Sequence, residues 1–124
     1  VKNISAFSIA LTLCIFLIDA AAQTDFKEPL SALSVKQKEF RALAMKSDYQ
    51  GMRNMAYSYL APFKGEAGSK VGACAWYLLI PALHKAKFHS GDTGNIYVSC
   101  SKLDPSDLNA AYEYAFRTLA ASSK

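Results

Sequence analysis

From Ser34 onward the chain repeats apolar residues every three or four positions and breaks that repeat with helix start and stop residues, a pattern that dictates helices. Ser34-x-x-Gln37 has the spacing of a capping box, and Val35, Phe40, Leu43 and Ala44 follow as the apolar positions of a first helix ending near Ser47. Asp48 is placed to cap a second helix, whose stripe is Tyr49, Met52, Met55, Ala56, Tyr59 and Leu60 and which Pro62 closes. Residues 63–68, FKGEAG, read as a loop. Ser69 then caps a third helix through Ala73, Trp76, Tyr77 and Ile80, which Pro81 is expected to end or kink. The segment His84 to Ser90 has no clear pattern, and Gly91-Asp92-Thr93-Gly94 reads as a turn before a short helix through Ile96, Tyr97 and Cys100. The last helix has Asp104 as N-cap, Pro105 as first helical residue and Asp107 in the first turn, where a fixed φ and two carboxylates meet the positive helix end. Its apolar positions are Leu108, Ala111, Tyr112, Ala115 and Leu119. No strand alternation competes, so the expectation is an all-α domain of about five helices joined by short loops.

A chain of 124 residues that is 52% hydrophobic and 19% charged has room for one small domain and is too apolar for a disordered tail. Residues 1–22 are set apart: Lys2 precedes the apolar run Ala6 to Ile18, followed by Asp19 and the small triplet Ala20-Ala21-Ala22, the order of a secretory signal peptide cleaved after Ala22. The run is shorter than the roughly 20 residues of a membrane span and lacks a basic stop-transfer cluster, so no stable membrane insertion is expected after cleavage. Cys14 sits inside the apolar run behind Leu13, which argues against lipidation, and Val1 fits an alternative bacterial start codon as well as a shortened chain. Residues 23–33, with Pro29 and no period, read as a linker or arm, and 34–124 as the helical domain of a bacterial periplasmic or secreted protein.

Loss of the signal removes one base and one acid, Lys2 and Asp19, so the net charge stays at +4. The basic residues are scattered from Lys27 to Lys124 without a block, which excludes the footprint of a nucleic-acid binder. Cys14 also departs, leaving Cys74 and Cys100 as an even pair in an oxidising compartment. A bond between them is expected, with two buried free thiols as the alternative, and closing that loop contributes about 3.5 kcal/mol on a chain-entropy basis.

Chemistry-bearing residues are sparse. His84 and His89 are not one helical turn apart, and no cysteine or carboxylate cluster joins them, so they are expected at the surface and not on a metal. Asp104 and Asp107 are explained by helix capping before any acid–base role. Ser99, Ser101, Ser106, Ser122 and Ser123 lie in no nucleophile elbow, and Gly65, Gly68 and Gly72 lack the strand of a dinucleotide fingerprint. No catalytic residue, cofactor or metal is expected.

Ala44 and the string Ser47-Asp48-Tyr49-Gln50-Gly51-Met52-Arg53-Asn54-Met55-Ala56, followed by Tyr59, resemble the first helix of a tetratricopeptide-like repeat of the Sel-one type. Ala73-Cys74-Ala75-Trp76-Tyr77 resembles that family's second-helix box, in which small residues let two helices approach and an aromatic fills the gap. A degenerate second copy begins at Gly91-Asp92 and continues with Asp107, Ala110-Ala111 and Tyr114. Ser47 and Gly51 depart from the glycine and alanine the family prefers, and the second copy lacks the asparagine-to-tyrosine segment. The resemblance implies antiparallel helical hairpins stacked as a short α-solenoid, with the Cys74–Cys100 bond pinning one hairpin to the next; a compact helical bundle needs the same small and aromatic residues and stays open.

The chain has seven tyrosines, and most belong in helix interfaces. Tyr57 lies two residues from Tyr59, and Tyr112 two from Tyr114, so neither pair can face inward together. Arg53, Tyr57 and Tyr112 are therefore the candidate partner-binding residues, an aromatic and arginine set of the kind enriched at protein-binding hot spots. Substituting Tyr57 and Arg53 together is expected to remove binding with little loss of fold. The resemblance implies a non-catalytic adaptor, with an immunity or inhibitor protein as its specific form and a protein partner in the cell envelope. A cell-wall-related small-ligand binder or enzyme is the alternative, which a deep cleft at His84, Glu113 or Arg53 would mark.

Overall fold

The structure, a computed structural model, describes residues 25–122. The signal peptide assigned to 1–22, with Val1, Lys2 and Cys14, lies outside the described residues, as does Ser123. The fold is all-α: a short 3-10 turn, Leu30–Ala32, then α1 (Val35–Met45), α2 (Tyr49–Leu60), α3 (Lys70–Leu83), α4 (Ser90–Cys100) and α5 (Pro105–Ser122). Among the described residues there is no strand.

The caps expected from the sequence form. Ser34 Oγ accepts from the Gln37 amide at 3.1 Å while Gln37 Oε1 accepts from the Ser34 amide at 3.1 Å. Asp48 Oδ1 accepts from Gly51 N, Ser69 Oγ from Gly72 N and Asp104 Oδ1 from Asp107 N, so each helix start has a partner for one of its free amides. Gln37 has a second task. It is buried, and its amide donates to the Ala67 carbonyl (2.8 Å) and accepts from the Ala67 amide (3.0 Å), holding the α2–α3 loop against α1.

The helices run antiparallel in sequence order. Gly51 at the start of α2 meets the end of α1 so closely that a Cβ there would lie 2.6 Å from Leu43 Cβ, which explains why alanine does not stand at this position. Tyr49 at the start of α2 meets His84 at the end of α3, and Cys74 near the start of α3 is bonded to Cys100 at the end of α4. The expected disulfide is therefore present. Helix α3 is the centre of the molecule: α2, α4 and α5 all pack on it, and its residues Ala73, Cys74, Ala75, Trp76, Tyr77, Leu79 and Ile80 are buried whichever way they point. Met52, Met55, Ala56 and Tyr59 of α2 complete the main core, with Leu33 from the arm and Ala115 from α5. Cys74, Ala75 and Ala111 form a second, smaller cluster with Leu103 and Leu108.

Several expectations are corrected. Val35 and Leu43 are exposed, because the inward anchor of α1 is the polar Gln37. Pro81 does not end α3, which runs to Leu83; the missing Pro81 amide falls in the last turn, where the loss is confined to one hydrogen bond. Gly91-Asp92-Thr93-Gly94 is not a turn but the first part of α4, because His89 caps that helix and Asp92 accepts from the His89 amide (3.3 Å). Tyr112, assigned to the apolar stripe of α5, points outward, and Tyr114 takes the inward place.

Candidate functional site

Three arrangements are candidates for a functional role: an aromatic face on α2, a buried acid at the start of α4 and a second buried acid in the N-terminal arm.

The aromatic face contains two of the three candidate residues. Arg53 and Tyr57 line one shallow hollow of 320 Å³ together with Gln50, Asn54, Tyr77 and Asn95. Asn54 and Tyr57 also line a neighbouring hollow of 200 Å³ with Lys36, Phe40, Ser58, Phe63 and Glu66. Tyr57 thus stands on the ridge between two depressions, 56% exposed, and Phe63 beside it is 70% exposed. Tyr59, two residues on, is fully buried, as the spacing requires. Tyr112 is not part of this face; it is exposed on α5 and stacks on Phe116, with ring centroids 6.4 Å apart.

Arg53 is not a free side chain. Its Nε lies 3.2 Å from Oδ1 of the fully buried Asp92, close enough to balance the charge but off the line a hydrogen bond needs, so Oδ1 is ion-paired without being hydrogen-bonded. Asp92 Oδ2 accepts from the Tyr49 hydroxyl at 2.8 Å. His89 Nδ1 accepts from Gly91 N at 3.0 Å, which leaves the ring proton on Nε2, and that atom faces the Tyr49 hydroxyl at 3.1 Å. The chain of donors from His89 through Tyr49 ends on Asp92. Burial, with the Asp92 hydrogen bond, raises the Tyr49 pKa, so Tyr49 acts as a neutral donor. His84 is not the surface residue expected: it packs edge-on against Tyr49 and its Nε2 is buried without a hydrogen-bond partner among the described residues. Glu113 accepts from Asn109 on the exposed side of α5.

The second acid, Glu28, was not singled out from the sequence. Its side chain is 3% exposed, yet it lies in the arm that carries no helical period. Its carboxylate receives Arg41 Nε of α1 (3.0 Å), the Tyr59 hydroxyl of α2 (2.9 Å), the Trp76 indole of α3 (3.4 Å) and the Tyr114 hydroxyl of α5. Burial first, and then Glu28, pushes the pKa of both tyrosines far above the ordinary range, so both remain protonated donors. One signal pointed here: a core holding Tyr59, Trp76 and Tyr114 contains three donors that need an acceptor.

Among the described residues no group of three or more histidines, cysteines and carboxylates stands ready for a metal, and no helix is long and apolar enough to cross a membrane. No protein-family model, curated protein or solved structure matches the chain.

Proposed function

We propose that this chain is an exported, non-catalytic protein-binding module of the Sel-one-like repeat type, acting on a protein partner in the cell envelope as an adaptor or an immunity or inhibitor protein. The single observation that carries this reading is the α2 face, where Tyr57 and Phe63 stand exposed over two adjoining hollows with polar residues at their edges, the composition of an interface centre with its rim. The disulfide supports export, since such bonds persist in oxidising compartments. The antiparallel hairpins and the small-residue box on the central helix support the repeat resemblance.

The test is capture of partners from an envelope extract by the full chain and by a Tyr57→Ala/Phe63→Ala variant. Both substitutions remove exposed rings and are expected to change stability by less than about 0.5 kcal/mol each. Loss of one stoichiometric partner in the variant is the expected outcome, and an unchanged partner set would remove this face as the interface. Arg53 is unsuited to the test, contrary to the expectation for a Tyr57 and Arg53 double variant, because its removal strands the buried Asp92 charge.

A further inference from the structure

The arm is attached to the helical body in the manner of a bound peptide. Its backbone hydrogen bonds are local, Leu30 N to the Glu28 carbonyl and Ala32 N to the Pro29 carbonyl. Side chains do the rest, in a fixed register. Asp25 pairs with Arg117 of α5 at 2.6 Å, Phe26 packs edge-on against Tyr114 with centroids 5.2 Å apart, Lys27 points to solvent and Glu28 enters the cluster of Arg41, Tyr59, Trp76 and Tyr114. The helices are shaped for this sequence. A Cβ on Gly72 would lie 3.0 Å from the Phe26 ring and 2.8 Å from the Tyr59 ring, so the small residue at that point of α3 makes the seat for both. The arm does not fill its groove: an open hollow of 540 Å³ continues beside it, walled by Met45 of α1 and by Thr118 and Ala121 of α5.

We infer that this groove is a receptor for an extended acidic segment of a partner protein with the pattern Asp-aromatic-x-Glu, and that the chain's own Asp25–Glu28 is the occupant such a segment displaces. Two arginines placed to meet two carboxylates three residues apart, an aromatic seat between them and a solvent-facing third position define the ligand by charge and shape. The receptor is independent of the Tyr57 face and stands or falls separately from it. A tethered arm competes at an effective concentration of about a millimolar, so an untethered segment binds the native chain weakly and a chain with a disabled arm tightly.

The probe is a fluorescent peptide with the sequence of residues 25–33, added to the full chain and to a full-length Phe26→Ala/Glu28→Gln variant. At least tenfold tighter binding to the variant is expected, and at least tenfold loss when the probe carries glutamine in place of its glutamate. A folded variant that binds the probe no better than the native chain overturns the proposal and leaves the arm a structural plug. Should the variant not fold, the native chain decides: a spin-labelled probe at several millimolar, on the scale of the tethered competitor, broadens the indole N–H resonance of Trp76, the only tryptophan, and absence of broadening overturns the proposal. A concentration-dependent dimer of the native chain that the variant does not form assigns the groove to the arm of a second copy, which also overturns the partner assignment.

Discussion

Glu28 and Asp92 are the same solution reached by different routes. Each is a carboxylate with almost no exposure, each faces one arginine whose own side chain is 29% exposed, and each accepts from tyrosine. Asp92 has local support beside its Arg53 and Tyr49 contacts from α2. It is in the first turn of α4, near the positive end of the helix, and accepts from the amide of the capping residue three positions back. Glu28 has no such support, since every partner is supplied by another element, as far away in sequence as Tyr114. A buried charge at a helix start is a local device, whereas one in an irregular segment exists only because the rest of the fold has gathered donors around it. Glu28 therefore reports on tertiary assembly, and Asp92 on the start of one helix joined to α2.

The comparison can be broken first through the disulfide, which ties the end of α4 to α3. A Cys74→Ala/Cys100→Ala variant should lose about 3.5 kcal/mol in denaturant unfolding. Amide exchange should rise in α4 while the arm keeps its protection; equal loosening of both would show that the two sides are one cooperative unit. Glu28→Gln comes next, at about 3 kcal/mol, because one acceptor oxygen becomes an N–H₂ group facing donors and Arg41 loses its counter-charge. Asp92→Asn should cost less, about 1.5 kcal/mol, since the amide oxygen can still take the Tyr49 hydroxyl or the His89 amide and the loss is mainly the Arg53 pairing. Reversal of that order in chemical denaturation would refute the distinction between local and assembled support.

The last effect shows only in alkali. Tyr59 and Tyr114 have pKa values raised in the folded chain above the ordinary 10.0, so the unfolded chain releases these protons first. Their contribution is complete below pH 10 and is lost as pH rises above it. Absorbance at 295 nm should show two tyrosines that ionise only together with loss of helical circular dichroism.

Most of the fold is legible in local pattern because capping is a local matter. Ser34, Asp48, Ser69 and Asp104 each sit at the start their side chain marks, and the Met52, Met55, Ala56 and Tyr59 stripe is buried as its spacing demands. The errors are places where tertiary contact overrides pattern. Gly91 and Gly94 suggest a turn, but the His89 cap and the Arg53 and Tyr49 contacts to Asp92 fix a helix there. Val35 looks like a core residue, but the position that touches the neighbouring loop is Gln37. The geometry of the candidate site was legible only in part. Exposure of Tyr57 and Tyr112 follows from their spacing to inward partners, whereas the Arg53 pairing with Asp92 and the whole Glu28 cluster join residues that no short window contains.

The bond between Cys74 and Cys100 closes a covalent ring around the α3–α4 connection, including the exposed stretch Lys85-Ala86-Lys87. Those lysines are natural trypsin sites, and a cut there divides the backbone without releasing either half. The nicked protein stays one molecule, running as a single band until a reductant is added, so a protease can open this loop and still leave the two halves of the domain side by side.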